Sequence, residues 1–561
     1  MPGLKKIIID TPNETTHQKD LRSNTIQTIG FLLDAIKGDQ ENIAGFREDA
    51  REIVGIFSKL LNSGSMTDDD PQVTAITNAL TQAAAVLKEE FAPYMPEIMD
   101  KLLKGTKIEV DFKLEDAELP HAGEDENLTT VTFKMKGLDG QKKLSLNTNA
   151  LETKINSTQV IRALVENLGT TFFPYVGPTF EALSTLFDYK YSRAVRGVAI
   201  ECCQFLLLAC TELAQQEELM GLFFPKFEAC ISSLIKKKDT QELVGFLKEF
   251  YHCVKVFKQP SPLSPSQLTS FVALMKEACQ LAWEDKKITL DEMVKKRDVL
   301  DEEDQEQYFN GLDEIEKVYL YVMEISGQFM RIYRDDVTDL MRNELFQLFV
   351  DNINKEENTE HEVIDSLCFF IDCCEFLSHD YLLSVYKEMF EKFSDIYEQY
   401  KDDEDRDIVQ SLSFGLGVIA ARITNEQFSF FADRIYSILE EVINVPDRMS
   451  EENSYATENA LSSLLKLVYF QKDTAKISDA KVREYLELLP IRDDLDEALA
   501  LNKLLIEQVE NKSSNLFGKG NCNAKAIEGA LNRIAQHHHE DPDLGILDEE
   551  YSQRLENLLS Q

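Results

Sequence analysis

The sequence predicts an all-α protein, an α-solenoid of about 12 HEAT repeats (an ARM-like superhelix) with one β-hairpin insertion. Three observations predict it. First, Asp405 to Arg422 places Ile408, Val409, Leu412, Leu416, Ile419 and Ala420 at three-and-four spacing, a wide buried helical stripe. Much of the rest is small (Ser413, Gly415, Gly417, Ala421), which lets a second helix come close. Each glycine would cost roughly 1 kcal/mol in a lone helix, so Gly415 and Gly417 point to close packing. Second, the register returns: Val195, Ala199 and Cys203 align with Val409, Ser413 and Gly417, as do Thr457, Leu461 and Leu465. Third, first helices repeat a start. Phe91-Ala-Pro-Tyr and Phe172-Phe-Pro-Tyr lie about 81 residues apart, two periods of roughly 40. Tyr333, Tyr381 and Phe428 mark similar starts at intervals of about 47, lengthened by acidic loops.

A 561-residue chain would ordinarily divide into several domains, but a solenoid buries each repeat only against its neighbours. The chain is 43% hydrophobic and 28% charged, the balance of a folded soluble protein. Its net charge of -41 argues against direct nucleic-acid binding and favours basic partners, whose approach the field accelerates. Ten cysteines include the adjacent pairs Cys202-Cys203 and Cys373-Cys374 inside apolar helical patterns, and no C-x-x-C occurs. They read as buried free thiols in a reducing compartment. The N-terminal apolar core is too short for a signal peptide, and the longest apolar run, around Phe205 to Cys210, is too short to span a bilayer. The expected location is cytoplasm, nucleus or both, without membrane insertion.

Taken in order, residues 1–20 read as an irregular lead, and 21–104 as HEAT repeats. These repeats hold helices at Asn24–Ile36, Ile43–Leu61, Gln72–Glu89 and Pro93–Leu103, with Pro71 opening the third. Residues 105–150 break the rhythm. Val131-Thr-Phe-Lys-Met-Lys and Lys143-Leu-Ser-Leu-Asn alternate around Gly137-Leu-Asp-Gly, a hairpin signal, behind an acidic loop from Glu115 to Asn127. Residues 151–510 resume the repeats. Within them Pro260-Ser-Pro-Leu-Ser-Pro is a tight connection with Ser264 or Ser266 as a cap, and 284–317 is a charged, mostly solvated helix. Residues 511–561 form a Ser/Gly/Asn-rich turn and two short helices, Lys525–His537 and Asp548–Leu559.

No enzyme chemistry is expected, and no cofactor or metal. Gly518-Lys519 fails as a phosphate loop, because Ser513 stands where a glycine is needed and Gly520 where a hydroxyl is needed. His537-His-His with Glu540 and Asp541 cannot aim three adjacent side chains at one ion from a regular helix. His361 with Asp365, and His379 with Glu375, lack a third ligand nearby and read as helix-surface pairs.

Six segments then support a family. They are Asp68-Asp-Asp-Pro-Gln with Phe91-Ala-Pro-Tyr-Met-Pro; Lys295-Lys-Arg-Asp; Ser366-Leu-Cys-Phe-Phe-Ile-Asp; Phe414-Gly-Leu-Gly-Val-Ile-Ala; Tyr455-Ala-Thr-Glu-Asn-Ala; and Leu489-Pro-Ile-Arg-Asp-Asp-Leu-Asp-Glu-Ala. In this order and spacing they resemble the C-terminal half of a karyopherin beta-3 type nuclear import receptor of the importin-β superfamily, from about residue 20 to 510. The hairpin insertion also looks like one that this receptor type carries. The final 40 or so residues match the family poorly, and nothing is carried over there.

The resemblance implies a superhelix whose second helices grip the basic nuclear localisation signals of cargo such as ribosomal proteins and histones, for import into the nucleus. Release on Ran-GTP binding and shuttling between cytoplasm and nucleus are implied too. Grooves between helices would take Phe-Gly nucleoporins. The repeat register places Glu201, Asp372, Glu375 and Glu458 on second helices, as candidate cargo-binding positions. Each has a blander reading as a solvated charge or a ladder contact to a cation of the next repeat, for which Arg196 is well placed. Receptors of this kind are roughly twice as long, with the main Ran-GTP surface in their N-terminal repeats, so the resemblance implies a fragment or a half-receptor needing a partner chain. In a fragment the apolar face of the first repeat would be left sticky. The competing reading is a HEAT scaffold for a protein complex.

Overall fold

The computed structural model describes the chain except residues 38–42, 64–65, 67–69, 111, 117–127, 134–141, 259–261, 297–300, 355–358, 404–405 and 561. It divides into two compact units, Met1–Leu274 and Met275–Gln561.

Unit 1 opens with α1 (Pro2–Asp10), α2 (Thr16–Lys37), α3 (Ile43–Asn62) and α4 (Pro71–Leu87). The expected irregular lead is thus largely helical. Pro2 supplies a favourable first-turn residue, and Lys5 pairs with Asp49 and Glu52 on α3. Asp70 caps α4, accepting from Gln72 N at 3.0 Å, with Pro71 at the first helical position. Next come α5 (Met95–Thr106), α6 (Thr148–Leu168), α7 (Val176–Leu183), α8 (Arg193–Ala209), α9 (Leu213–Lys237) and α10 (Thr240–Lys255).

The Phe-x-Pro-Tyr segments are equivalent in structure. Each forms a short 3-10 turn leading into α5 or α7, with Phe91 and Phe172 fully buried. Tyr94 and Tyr175 set their rings against these phenylalanines at 6.1 and 5.8 Å. Along the second helices polar side chains cross-link neighbouring turns. Arg22 Nε on α2 donates to Gln72 Oε1 on α4 at 2.8 Å, and Asn156 Nδ2 on α6 donates to Thr77 Oγ1 on α4 at 3.0 Å.

Between α5 and α6 lie β1 (Phe112–Asp116), β2 (Leu128–Phe133) and β3 (Lys142–Asn147). β3 is the middle strand, antiparallel to both, with Val131 opposite Leu144 and Leu114 opposite Leu144 on its other side. Glu115 and Asp116, expected in the acidic loop, belong to β1. The rest of that loop and the Gly137-Leu-Asp-Gly turn lie outside the described residues.

α11 (Pro265–Lys296) starts in unit 1 and continues into unit 2. Ser264 Oγ accepts from Gln267 N at 3.4 Å at its start, while Gln267 Oε1 accepts from Ser264 N at 2.9 Å. Unit 2 continues with α12 (Glu302–Tyr333), α13 (Thr338–Glu344), α14 (Phe346–Ile353), α15 (Glu360–Phe376), α16 (His379–Tyr400), α17 (Asp407–Arg422), α18 (Asn425–Phe428), α19 (Ala432–Ile443) and α20 (Ser454–Gln471). α21 (Asp479–Glu487), α22 (Leu495–Glu510), α23 (Ser514–Phe517), α24 (Ala524–Glu540) and α25 (Glu549–Leu559) complete it. The charged 284–317 stretch, expected as one helix, is shared by the end of α11 and the start of α12. Tyr333, expected at a first-helix start, is the last residue of α12.

The recurring register is a recurring burial pattern. Val195, Ala199, Cys203, Val409, Ser413, Thr457, Leu461 and Leu465 are all buried. A Cβ on Gly415 would stand 2.7 Å from Ile371 Cγ1 on α15, and one on Gly417 would stand 2.9 Å from Ser463 Cα on α20. Ser463 Oγ uses that approach to donate to Ser413 O at 2.7 Å. Lower down, Gln471 Nε2 donates to Ala420 O at 2.8 Å and Ile423 O at 2.9 Å. Where α11, α12 and α15 meet, the buried Lys286 ammonium is held by Glu316 at 3.0 Å and Glu362 at 2.6 Å.

Candidate functional site

In unit 2 the second helices α12, α15, α17, α20 and α22 present one polar groove enclosing about 620 Å³. The pattern that buries one side of each helix leaves every third or fourth residue on this opposite side. Asp372, Glu375 and Phe376 come from α15, Gln410, Ser411 and Phe414 from α17, Asn459 from α20, and Asp494, Asp496 and Glu497 from the start of α22. Arg331 and Arg334 enter from the end of α12.

The five lining carboxylates are not equivalent. Asp494 caps α22, accepting from Glu497 N at 3.0 Å, and also accepts from Asn459 Nδ2 at 2.9 Å. Glu497 pairs with Lys466 at 2.7 Å and accepts from Ser462 Oγ. Among the described residues, Asp372 and Glu375 have neither a hydrogen bond to their carboxylates nor an ion pair. Asp372 keeps part of its surface open to the groove while protein atoms crowd it closely. Burial, reinforced by Glu375 and opposed by Arg331, pushes its carboxyl up to about 8. Glu375 is raised as well, first by burial, against the pull of Lys466 and Arg331.

Arg331 and Arg334 sit over the Phe376 ring at 5.1 and 5.0 Å, and Lys466 over Phe414 at 4.8 Å. The two guanidiniums form no ion pair among the described residues. The groove therefore combines two uncommitted carboxyls with a net acidic lining, an arrangement suited to the ammonium of a lysine.

The other sequence candidates are placed differently. Glu458 on α20 is buried, and its oxygens accept from Arg492 N at 2.8 Å and from Asp493 N and Asp494 N at 3.0 Å each. It anchors the turn before α22, with burial raising its carboxyl and those three N–H groups opposing the shift. Glu201 on α8 belongs to unit 1 and pairs with Arg162 of the preceding second helix at 2.8 Å. Arg196, expected as the ladder cation, instead binds Glu242 on α10 at 2.7 Å. Asp372 and Glu375 thus share a groove, and neither Glu201 nor Glu458 lines it.

Sequence reasoning missed Arg331, Arg334 and the α22 start. Asp494 followed three residues later by Glu497 is a helix-start signature that could have located the latter. The two arginines follow an apolar run without a comparable signal. Among the described residues there is no His/Cys/Asp/Glu group placed to hold a metal, and no helix long and apolar enough to cross a membrane. His537, His538 and His539 lie in the last turn of α24.

No family model matches the chain. Importin subunit beta-3 of Saccharomyces cerevisiae is 22% identical over 487 residues, covering 85% of this chain and 42% of the relative. The chain therefore spans less than half the length of that curated relative. The crystal structure of a triple mutant of Kap121p superposes with a TM-score of 0.69 at 18% identity, covering 100% of this chain and 47% of that one. Kap121p bound to Ste12p gives a TM-score of 0.67 at 16% identity, covering 100% and 48%.

Proposed function

We propose that this chain is a karyopherin of the importin-β superfamily that binds basic nuclear localisation signals of cargo for protein import into the nucleus. The observation that carries the reading is the pair Asp372 and Glu375, crowded by protein yet uncommitted, on a groove crossed by five second helices. A crowded carboxyl without a partner is unfavourable when charged, and an incoming ammonium relieves that cost. The charge of -41 attracts Lys/Arg-rich segments from a distance.

The related Kap121p is known bound to Ste12p, which supports a cargo role for this chain. Ribosomal proteins and histones fit the charge. Release by Ran-GTP, contacts to Phe-Gly nucleoporins, and shuttling between cytoplasm and nucleus complete the proposal. We place the main Ran-GTP surface in the N-terminal repeats of the longer receptors that this chain resembles. Glu201 and Glu458 would act in cargo binding only by supporting their repeats.

The test is a fluorescence titration of a Lys/Arg-rich signal peptide at low and physiological salt, with and without Ran-GTP. Binding should weaken as salt rises, because exposed charges are screened over about 8–10 Å. Asp372→Lys with Glu375→Lys should abolish it. Peptide binding that this double reversal leaves intact sinks the groove as the site. Binding indifferent to Ran-GTP removes the release step from this chain.

A further inference from the structure

Unit 1 holds a basic cavity within a chain of net charge -41. It encloses about 630 Å³ between the turn after α7 and helices α8, α9 and α10. Lys190, Lys226 and Lys237 line it, together with the hydroxyl-bearing Ser184, Thr185 and Ser233. None of the three ammoniums has a hydrogen bond or ion pair among the described residues. Two of the lining carboxylates are matched by arginines: Glu242 binds Arg196, also in the lining, at 2.7 Å, and Asp239 binds Arg193, which lies outside the lining, at 3.0 Å. Among the lining groups outside these pairs, Asp188 is the carboxylate that faces the three lysines.

Two of the lysines and Asp188 converge on one place. Cys230, in the cavity wall, is pushed up to about 11 by burial, with Asp188 and Glu242 raising it further and Lys226 and Lys237 pulling it down. Asp188, Glu242 and the two α9 lysines, Lys226 and Lys237, are thus within electrostatic reach of a single sulfur.

We propose that this cavity binds a compact polyanion bearing several phosphate groups, of inositol-polyphosphate chemistry. Lysine ammoniums act as mobile point charges suited to phosphate, and the Ser233 hydroxyl is a further donor, whereas Ser184 and Thr185 already donate to Glu181 O and Ala182 O. The volume falls in the range of about 300–1,000 Å³ usual for small-ligand sites. Compactness matters, because the surrounding chain is acidic. A long acidic peptide would leave the reach of the three lysines and meet repulsion, whereas a small anion keeps its charge between them. This proposal stands apart from cargo binding, which concerns unit 2.

The test is calorimetric titration of the full chain with inositol hexakisphosphate at about 0.15 M salt. The expected result is saturable one-to-one binding that Lys226→Ala with Lys237→Ala weakens by about tenfold or more. Lys525→Ala, an exposed lysine on α24, should leave it unchanged. Circular dichroism and thermal melting establish that the variants fold. Vesicles containing a phosphoinositide distinguish a headgroup from a free anion, and either source, if lost in the double variant, supports the proposal. No saturable binding of free anion or vesicle overturns it, as does binding that the double variant leaves unchanged. A Glu-rich peptide binding more tightly through the same lysines also overturns it, in favour of a protein partner.

Discussion

Gly327 on α12 faces Asp372 on α15 so closely that a Cβ on the glycine would stand 3.4 Å from Asp372 Cγ and nearer still to Oδ2. The missing side chain on one second helix is what makes room for the uncommitted carboxyl on the next. The groove's acidity is therefore a property of helix packing as well as of residue choice.

Gly327→Ala should displace the Asp372 carboxyl, since its short, closely crowded side chain has little freedom to yield. The expected cost is about 1–3 kcal/mol, the usual range for overpacking. A double variant with Asp372→Ala should recover much of it, because the clash and its partner disappear together. Urea unfolding of both single variants and the double gives the coupling, and additive losses would show that the two residues do not meet.

Glu458→Ala should destabilise without altering cargo affinity. It removes an acceptor from three backbone N–H groups at residues 492–494 and leaves them short of partners. Losing hydrogen bonds to a charged group costs about 1.5–3 kcal/mol. The measurement is peptide affinity at a temperature where the variant is fully folded. A large affinity loss there would return Glu458 to the cargo site.

Gly417→Val should cost at least as much as Gly327→Ala, because Ser463 Cα, a backbone atom, stands in the way. Pushing α17 from α20 also strains the Ser463–Ser413 hydrogen bond. Hydrogen exchange should report faster opening of α17 and α20 than of α8 and α10 in unit 1. Uniform acceleration would contradict a local effect.

These glycines mark what was legible in the sequence. Gly415 and Gly417 break helix propensity inside an apolar pattern, so their packing role follows from local rules. The α-solenoid follows in the same way, from periodicity that each repeat satisfies against its neighbour. The site was only half legible. Register places Asp372, Glu375 and Glu458 alike on second helices, yet Glu458 meets a turn more than thirty residues away in sequence, while Asp372 meets open groove. No local pattern carries that distinction. Arg331 and Arg334 escaped for a similar reason, since their position depends on where α12 ends relative to Phe376 on α15.

Stability should fall as pH rises from about 5 to 8, and Asp372 should carry part of that slope. Its carboxyl has an ordinary value of 3.8 and is pushed up to about 8 in the fold, by burial first and then by Glu375 and Glu324 against Arg331. Between those values the folded chain holds a proton that the unfolded chain has released. Unfolding then releases protons, so raising the pH favours it. Below the lower value both states are protonated and there is no penalty; above the upper value the penalty is complete. Asp365, also pushed up to about 8, and Glu249, to about 7, act in the same direction. Asp479 runs the other way: Lys472 holds it down to about 2, so its contribution is lost only as pH falls below the ordinary carboxylate range. Asp372→Asn removes one proton from the balance, so its stability relative to the parent chain should improve with pH by at most about 1.4 kcal/mol per unit. Urea midpoints at pH 5, 7 and 9 measure this, and parallel pH profiles would show that Asp372 ionises normally. A signal peptide that engages the carboxyl should also release a proton at neutral pH, seen as a binding heat that varies with the ionisation enthalpy of the buffer. Asp372→Asn should remove that buffer dependence together with the affinity, which ties the pH profile to the groove and not to Asp365 or Glu249.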